Sequence, residues 1–314
     1  MATGTRALEA GRLQPRKSAG LWTDAFGRLR KNRLALLGLF LVVALLLIAL
    51  LGPMITPYPY DQQDISAVLA NKGRALPPLS PGHILGTDQL GRDLLSRLLD
   101  GARISMTVAL VVQVVVLGLG MPIGAIAGWF GGRWDAILMR FTDVIYAFPD
   151  LLFIILLSVT FRDSPFGQAL DGLFLVFVAI GLTSWVTVAR LIRGQLLSLK
   201  EVEFVEAARA VGVSDWRIVT RHLLPNSIGP IIVAVTLGIP AAILTESTLA
   251  YIGVGVQPPR ASWGSLIADG QRVVRGDPFL VLFPAIAIAI ALVSFTFLGD
   301  GLRDALDPKL KGKQ

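Results

Sequence analysis

The 314-residue sequence contains no cysteine and few charged residues. Without cysteine, it forms no disulfide, no thiolate metal site and no cysteine nucleophile. Its two histidines, His83 and His222, lie too far apart in sequence to suggest a metal centre. Charged residues make up 16% of the chain, against about a quarter in a typical soluble domain. Hydrophobic residues make up 54%, a composition that favours a membrane protein.

A phosphate-binding loop of the form G-x4-G-K-[ST] is also missing from the sequence. We therefore expect no nucleotide site of this type, and no ATP hydrolysis, in the chain itself. Two glycine clusters are present, "GLGMPIG" at residues 118–124 and "GVGV" at residues 253–256. Because glycine lets neighbouring membrane helices approach closely, helix packing is the expected role of both clusters.

Six apolar segments are long enough to cross a bilayer. The first, "LALLGLFLVVALLLIALL", is 18 uninterrupted apolar residues and spans about 27 Å as a helix. It begins late and is followed by "GPMITPYPY" rather than a small-residue cleavage site, so we interpret it as a retained span and not as a signal peptide. The sequence predicts an all-α membrane protein with six transmembrane helices: Leu34–Leu51, Ile104–Phe130, Trp134–Phe161, Leu173–Leu191, Ser227–Val256 and Phe279–Leu298.

The distribution of basic residues predicts the orientation of these spans. If the N-terminus is cytoplasmic, 20 of the 29 Lys and Arg residues fall in cytoplasmic segments. Since cytoplasmic loops carry an excess of Lys and Arg, this bias predicts an N-in, C-in protein. Because the bias accounts for the basic residues, nucleic acid is not an expected partner. The expected parts are a cytoplasmic tail (1–33), a first transmembrane helix (34–55), an extracytoplasmic loop (56–103), a five-helix core (104–302) that contains a cytoplasmic loop (201–225), and a cytoplasmic C-terminal tail (303–314).

The cytoplasmic loop contains a polar segment, "EAARAVGVSDWRIVTRHLLP", at residues 206–225. Its alanines favour helix, and we predict one over Glu201–Val211. Gly212 suits the left-handed position after a helix, and Ser214 suits the N-cap of a second helix. That helix is predicted to end before Pro225. The segment should therefore form a helix-turn-helix that lies flat under the membrane.

From the pattern alone, two interpretations of this segment are equally favoured. One is a docking surface for another protein, and the other is an amphipathic connector that rests on lipid headgroups. A DNA-binding helix-turn-helix has a similar form. It is disfavoured because spans tether the segment at both ends and because a supporting third helix is missing.

The same segment resembles the EAA loop of bacterial ABC importer permeases. In that pattern E-A-A is followed after three residues by G, and nine residues later by I-x-L-P, which Glu206-Ala207-Ala208, Gly212 and Leu224-Pro225 match. His222 stands where the general pattern has isoleucine, and "RHLLPN" is similar to the oligopeptide/dipeptide/nickel branch. Over residues 25–311 the chain resembles the C-type permease of that branch, in "HILGTDQLGRDLLSRLLDGARISM", "QPPRASWGSLIADG" and "GDGLRDALDPKLK".

The resemblance implies a type I ABC importer permease in the bacterial cytoplasmic (inner) membrane. In this family two permeases pair, two cytoplasmic ATPase subunits bind ATP and Mg beneath them, and an extracytoplasmic substrate-binding protein delivers the solute. A homologous second permease, forming a heterodimer, is the implied partner. Peptides are the implied cargo, with nickel complexes and glutathione as alternatives. The resemblance assigns six residues to ATPase contact: Glu206, Ala207, Ala208, Gly212, Asp215 and Trp216.

Two rival functions follow from the membrane pattern without this resemblance. One is a secondary transporter, which needs no ATPase and commonly shows inverted repeats. No clear internal repeat is visible in the sequence. The other is a membrane scaffold without transport activity, for which a charge change in the EAA-like segment would leave uptake intact.

Trp216 also suits an anchor at the membrane interface.

Few polar residues fall within the predicted spans. Arg140 and Asp143 are one helical turn apart, so they can pair with each other, and snorkelling of their side chains towards the interface is the alternative. Asp150 is the best candidate for a charge in a water-filled translocation path. Glu246 is a second candidate that suits equally well a helix break or a contact with the partner permease. Gln113 is a third, for which packing is equally favoured.

The predicted outer loop, residues 56–103, is too long for a simple hairpin. By resemblance, its "GRDLLSRLL" part forms a helix along the outer surface. Docking of the binding protein and a structural cap over the spans are the two interpretations of this loop.

Overall fold

The computed structural model describes residues 21–307, and its regular structure is helical throughout, without a β-strand in that range. The predicted tail residues 1–20 and 308–314 lie outside it. Its first seven helices are α1 (Leu21–Leu29), α2 (Arg33–Ile55), α3 (Ile65–Ala70), α4 (Leu94–Phe130), α5 (Gly132–Ala147), α6 (Asp150–Phe161) and α7 (Pro165–Gln168). The other seven are α8 (Leu173–Leu199), α9 (Glu203–Ala210), α10 (Asp215–Ile218), α11 (Leu224–Asn226), α12 (Ile228–Tyr251), α13 (Trp263–Gln271) and α14 (Phe279–Leu306).

Five helices, α2, α4, α8, α12 and α14, are each long and apolar enough to cross a membrane. We call the end of the bundle that carries residues 200–227 the coupling end, and the end that carries residues 56–93 the loop end. At the coupling end α1 packs against α14, where Arg28 donates a hydrogen bond to the carbonyl oxygen of Asp307 (3.0 Å). Both ends of the described chain therefore lie at the coupling end.

The third predicted span, Trp134–Phe161, is divided into α5 and α6, whose axes differ by 81°. Helix α5 ends at Ala147, because Phe148 precedes a proline and is pushed into an extended conformation. Asp135 near the start of α5 pairs with the last third of α8 at the coupling end. Arg162, just after α6, donates to Gln257 (3.2 Å) at the loop end. The two helices thus cross the bundle as one interrupted span, which gives six crossings.

Helices α4 and α8 form the most extensive pair in the bundle, and glycines of α4 line their contact. A Cβ atom on Gly120 or Gly128 would lie 2.9 Å from a carbonyl oxygen of α8, and one on Gly124 would collide with the carbonyl oxygen of Ala189. Small residues of this kind let two membrane helices pack backbone to backbone. The predicted packing role of "GLGMPIG" is therefore confirmed for Gly120 and Gly124, whereas Gly118 meets nothing within 4 Å.

Helix α2 packs against α14 through two further close approaches. A Cβ atom on Gly38 would lie 2.7 Å from the backbone nitrogen of Leu298, and one on Gly301 would collide with the Cβ of Ala35. The first and last spans are therefore neighbours, and much of the remaining surface of α2 is exposed and apolar.

Helix α4 begins ten residues earlier than the predicted span, at Leu94 instead of Ile104. The Asp93 carboxylate caps it by accepting a hydrogen bond from the backbone N–H of Ser96 (2.8 Å). The predicted surface helix in "GRDLLSRLL" is thus the first part of α4 and not a separate element. Charged residues in this part obscured the helix in the sequence, since they depart from an apolar run.

Helices α2, α8, α12 and α14 begin within one residue of their predicted starts but differ at their ends. Helix α8 continues to Leu199 instead of Leu191, and α14 continues to Leu306 instead of Leu298. Helix α12 is shorter and ends at Tyr251, ahead of the predicted Val256. Polar residues within the two extensions explain why an apolar pattern did not locate the ends of α8 and α14. Helix α12 ends early because Gly253 adopts a left-handed φ of +84°.

Candidate coupling surface and translocation path

The segment that resembles the EAA loop begins with a helix closed by a glycine turn. Helix α9 is two residues shorter at its start and one residue shorter at its end than predicted. The N–H of Gly212 donates to the carbonyl of Arg209, and the N–H of Val213 donates to that of Ala208, both at 3.0 Å, which is the Schellman arrangement. The φ angle of Gly212 is +77°, so the predicted left-handed position is confirmed.

The second helix differs from the prediction. Ser214 occupies the N-cap position of α10, but its side chain makes no capping hydrogen bond. Residues 219–223 then form a wider π-helical turn, in which the N–H of Leu224 donates to the carbonyl of Val219. The helical path continues through Pro225 in α11, so the prediction that it ends before Pro225 is wrong. The wider turn leaves room for the proline ring, and it tolerates the loss of one backbone hydrogen bond because proline has no N–H donor.

Buried side chains and a ring contact fix this segment to the bundle. Val205, Ile218 and Leu223 are fully buried. The guanidinium of Arg209 lies 4.6 Å from the ring centroid of Trp129, which is at the end of α4. A cation over an indole face at this distance is stabilising. The segment is therefore tied to α4 as well as to α8 and α12, which flank it in sequence.

The opposite side of the segment is open. Five of the six predicted contact residues are exposed there: Glu206, Ala207, Gly212, Asp215 and Trp216. The exposed fraction of Trp216 is 78%, and that of neighbouring Val211 is 80%. We call Val211 and these five exposed residues together the coupling surface: Glu206, Ala207, Val211, Gly212, Asp215 and Trp216. The sixth predicted residue, Ala208, is half-buried and packs against the hydrophobic core.

Sequence reasoning did not single out Val211. Its signal was an apolar β-branched side chain directly before the turn glycine of a solvent-facing segment. Together with Trp216 it gives the coupling surface two large apolar side chains that this chain does not cover. Exposed apolar side chains of this kind commonly mark contacts with another protein.

Two ion pairs join α5 to α8 near the coupling end. The Asp135 carboxylate accepts hydrogen bonds from Nε and Nη2 of Arg193, at 2.5 and 2.6 Å. Asp143 accepts one from Nη2 of Arg190 at 2.7 Å. The predicted pairing of Asp143 with Arg140 is therefore wrong, because the partner comes from another helix. The two pairs fix the first half of the interrupted span against α8.

The three candidate path residues lie in different surroundings. Asp150 is the first residue of α6 and is exposed at the break of the interrupted span. Gln113 is buried between α4 and α12, where a Cβ atom on Gly238 would lie 2.7 Å from its Oε1. Glu246 is also buried, and its Oε2 accepts a hydrogen bond from Oγ of Ser105 (3.2 Å). The structure thus places Asp150 on an open surface and the other two within a helix contact.

Ser105 connects this helix contact to the loop end. Its Oγ also accepts a hydrogen bond from the backbone N–H of Trp263, the first residue of α13, at 3.4 Å. The polar cluster around Glu246 therefore links α4, α12 and α13. Signals for this arrangement were absent from the sequence, because the three groups are far apart along the chain.

At the loop end, the motif "GTDQLGRD" organises the chain before α4. The Asp88 carboxylate accepts hydrogen bonds from the backbone N–H groups of Leu90 and Arg92, both at 2.9 Å. It also pairs with Nε of Arg92 (2.7 Å) and Nη1 of Arg97 (2.5 Å). Thr87 Oγ1 accepts from the backbone N–H of Leu76 (3.0 Å). The polar groups of the motif therefore form hydrogen bonds and ion pairs with one another and with the neighbouring chain.

Arg97 connects this network to the segment "QPPRASWGSLIADG", which also resembles the C-type permease. Only 3% of its side chain is exposed, and its Nη2 lies 3.6 Å from the carboxylate of Asp269 in α13. The indole N–H of Trp263 donates to the carbonyl of Leu98 (3.1 Å). The two segments singled out by resemblance thus meet at the loop end, a finding that supports the structural-cap interpretation of the loop.

Sequence comparison identifies two family profiles in the chain. Residues 120–312 match the family described as "Binding-protein-dependent transport system inner membrane component". Residues 20–78 match the "N-terminal TM domain of oligopeptide transport permease C". Together they cover the first and the later spans.

Several bacterial proteins are similar over almost the whole length. The "Oligopeptide transport system permease protein OppC" of Bacillus subtilis (strain 168) is 42% identical over 296 residues, which are 94% of this chain and 92% of the relative. The "Dipeptide transport system permease protein DppC" of the same organism is 41% identical, over 94% and 88%. OppC of Escherichia coli (strain K12) is 43% identical, over 92% and 91%.

A solved structure has the same fold. One chain of the structure described as "Inward facing conformations of the MetNI methionine ABC transporter" superposes with a TM-score of 0.56 and 17% identity. The match covers 68% of this chain and 96% of that chain. With six helical crossings, a profile match over most of the chain and relatives above 40% identity, the protein belongs to the family of binding-protein-dependent transport system inner membrane components and is a multi-pass protein of the bacterial inner membrane.

Proposed function

We propose that the chain is the membrane-spanning permease subunit of an ATP-driven importer of di- or oligopeptides, which an extracytoplasmic binding protein delivers. The observation that carries this proposal is the 42% identity to an oligopeptide permease over 94% of the chain. The two other relatives described above are also named as peptide permeases. Their names favour peptides over the nickel complexes and glutathione that the branch resemblance left open.

The coupling surface is the proposed contact for a separate ATPase subunit. Two such subunits would bind ATP and Mg, so this chain itself holds no cofactor and is not an enzyme. Three properties support this assignment: the surface is exposed, it is anchored to three spans, and it combines a small residue, Ala207, with the apolar Val211 and Trp216. An anchored helix that another subunit pushes acts as a rigid lever on the spans. Glu206 is proposed to pair with a basic group of the ATPase.

The N-in, C-in orientation is part of the proposal. The coupling surface and both ends of the described chain share one end of the bundle. The segments predicted from the sequence to be cytoplasmic contain 20 of the 29 Lys and Arg residues. Because basic residues are retained in the cytoplasm, this distribution favours a cytoplasmic coupling end, where ATPase subunits have access to it.

A homologous second permease is the proposed partner within the membrane. The break between α5 and α6 interrupts a membrane span, and non-helical backbone at that depth is tolerated only against protein or a water-filled cavity. Six exposed side chains of α5 and α6, on either side of the break, are apolar and suit a helix partner: Ile137, Phe141, Val144, Leu152, Leu156 and Val159. Asp150 at the break is the proposed path residue. Glu246 and Gln113 are proposed to shape the path by holding α12 against α4.

Reversing the charge at Glu206 tests the coupling role. We expect Glu206→Lys to lower peptide uptake at least about tenfold, because a repelled or unpaired charge at a protein contact costs more than about 1.4 kcal/mol. Uptake of a radiolabelled tripeptide is measured in cells that lack the chromosomal gene and express the variant. Immunoblots of the membrane fraction verify equal insertion.

The matched control is Glu201→Lys, at an exposed acidic residue that precedes α9 and lies outside the coupling surface. It should leave uptake within about twofold of wild type. Full uptake by Glu206→Lys would contradict the coupling role and favour a scaffold or an ATPase-independent transporter. Equal losses of uptake in both variants would mean that the effect comes from surface charge in general and not from the coupling surface.

Deleting the gene tests the cargo. Cells without it should lose uptake of labelled di- and tripeptides, while uptake of nickel and of glutathione stays unchanged, because the permease and its peptide-binding protein act together. Re-expression of the chain should restore peptide uptake. Loss of nickel or glutathione uptake alone would overturn the peptide cargo and leave the permease role standing.

A further inference from the structure

A cavity of about 350 Å³ opens at the loop end, between the end of α2 and the first turns of α4. This volume falls within the range of small-ligand sites. Its lining is rich in charged and phenolic groups, and includes Tyr58, Tyr60, Asp100, Arg103 and Arg260. None of these residues belongs to the coupling surface or to the proposed path.

The acidic group of the cavity is incompletely paired. Only 3% of Asp100 is exposed, and its Oδ2 has no hydrogen-bond partner among the described residues. The nearest basic atom to its Oδ1 is Nη1 of Arg260 at 3.6 Å, which is an ion pair without a hydrogen bond. Because buried polar atoms in folded proteins are nearly always hydrogen-bonded, the Asp100 carboxylate lacks a donor that a ligand would supply.

The basic groups of the cavity are placed beside this carboxylate. Arg103 is exposed and lies one helical turn after Asp100 on α4, which puts the two side chains on the same face. Arg260 is held by Asp171, whose Oδ2 is 2.9 Å from its Nε, and by the ring of Tyr60, whose centroid lies 5.6 Å from its guanidinium carbon. The cavity therefore presents anion-binding and cation-binding groups about one helical turn apart.

The position of the cavity connects it to the lipid-facing surface. Pro53, in the last turn of α2, is one of its lining residues. The neighbouring α2 side chains are apolar and point outward, with exposed fractions of 68% for Leu50 and 79% for Met54. Tyrosines are typical of the membrane interface, where Tyr58 and Tyr60 would lie beside the headgroups.

We propose that this cavity binds the headgroup of a zwitterionic phospholipid with a primary ammonium, of the phosphatidylethanolamine type. Arg103 and Arg260 would donate to the phosphate oxygens, since guanidinium groups match phosphate geometry. The Asp100 carboxylate would accept from the ammonium, and the acyl chains would lie along α2. An acidic loop of a docking protein satisfies the arginines, but it brings further carboxylates close to the buried Asp100 and does not use the apolar surface of α2.

Lipid retention by the full-length chain tests this assignment. The protein is purified in detergent, mixed with equal amounts of phosphatidylethanolamine, phosphatidylcholine and phosphatidylglycerol, and examined by native mass spectrometry. Wild type should retain phosphatidylethanolamine at least about fivefold over the other two. Phosphatidylcholine has no ammonium N–H, and phosphatidylglycerol has no ammonium. Equal retention of all three lipids would overturn the proposal.

Two variants separate the roles of the charged groups. Arg103→Gln should lower phosphatidylethanolamine retention about tenfold, and Asp100→Asn should remove the preference over phosphatidylcholine while thermal unfolding shows that both variants fold. Arg275→Gln, an exposed loop-end arginine that does not line the cavity, is the control and should behave as wild type. Unchanged lipid retention by Arg103→Gln, accompanied by weaker association with the binding protein, would assign the cavity to protein docking and overturn the lipid site.

Discussion

Replacing Gly124 with leucine is expected to separate α4 from α8 and to destabilise the whole bundle. The first atom of the new side chain would collide with the carbonyl oxygen of Ala189, a residue that is itself fully buried. The collision involves backbone, which no rotamer change relieves, so the helices must move apart along the contact that Gly120 and Gly128 also line. Overpacking costs about 1–3 kcal/mol, and more where close helix contacts are lost with it, so we expect at least about 3 kcal/mol.

The measurement is the apparent unfolding temperature of the detergent-purified protein, followed by the monodisperse fraction after heating. A loss of this size should lower that temperature by about 6–12 °C, or prevent purification of folded protein. Gly118→Leu is the matched control, because a Cβ atom at that position of the same helix meets nothing within 4 Å. It should change the unfolding temperature by less than about 2 °C. Equal losses for the two variants would mean that the glycine contact does not hold the pair together.

Much of this fold was accessible from the sequence because its signals are local. An apolar run must be helical in lipid, since every backbone N–H and C=O has to be satisfied within the segment. Six such runs therefore predicted six crossings, and the structure confirms them with the third divided between α5 and α6. The left-handed position of Gly212 was equally accessible, because the φ preference of glycine does not depend on distant neighbours.

The misplaced charged residues depend on groups far apart in sequence. Charged residues at the start of α4 resembled loop residues, although Arg97 is buried against Asp88 and Asp269. Asp143 had a plausible neighbour on its own helix, but its partner is Arg190, 47 residues away. A pattern of hydropathy carries no information about which distant charge completes a pair, so these contacts were visible only in the folded chain.

Five of the six residues of the coupling surface were singled out in the sequence through its motif, and the structure adds Val211 and shows which side chains are exposed. The alternation of exposed Ala207 with half-buried Ala208 follows from where α9 rests on the bundle. For the proposed path, a polar residue in an apolar run indicates a candidate residue, but it does not indicate whether that residue is exposed or buried. Asp150 is exposed, while Glu246 is buried against Ser105, and both had the same signal.

Replacing Arg97 with methionine is expected to destabilise the loop end strongly. From α4, its guanidinium donates a hydrogen bond to Asp88 in the chain before the helix and forms an ion pair with Asp269 of α13. Methionine keeps much of the volume but leaves the Asp88 carboxylate, which is 7% exposed, with Arg92 as its remaining basic partner. Removing one partner of a buried ion pair costs about 3–5 kcal/mol, because an incompletely compensated charge is left behind.

Arg74→Met is the matched control for this prediction. Arg74 also joins the outer loop to the chain before α14, through Asp277 at 3.4 Å, but 60% of its side chain is exposed. Exposed ion pairs contribute about 0–1 kcal/mol, so the control should unfold within about 2–4 °C of wild type, whereas Arg97→Met should fall by about 6–20 °C. Adding Asp88→Asn to Arg97→Met removes the stranded charge and should recover part of the loss. If the double variant is no more stable than Arg97→Met, the cost lies in lost packing rather than in the buried charge.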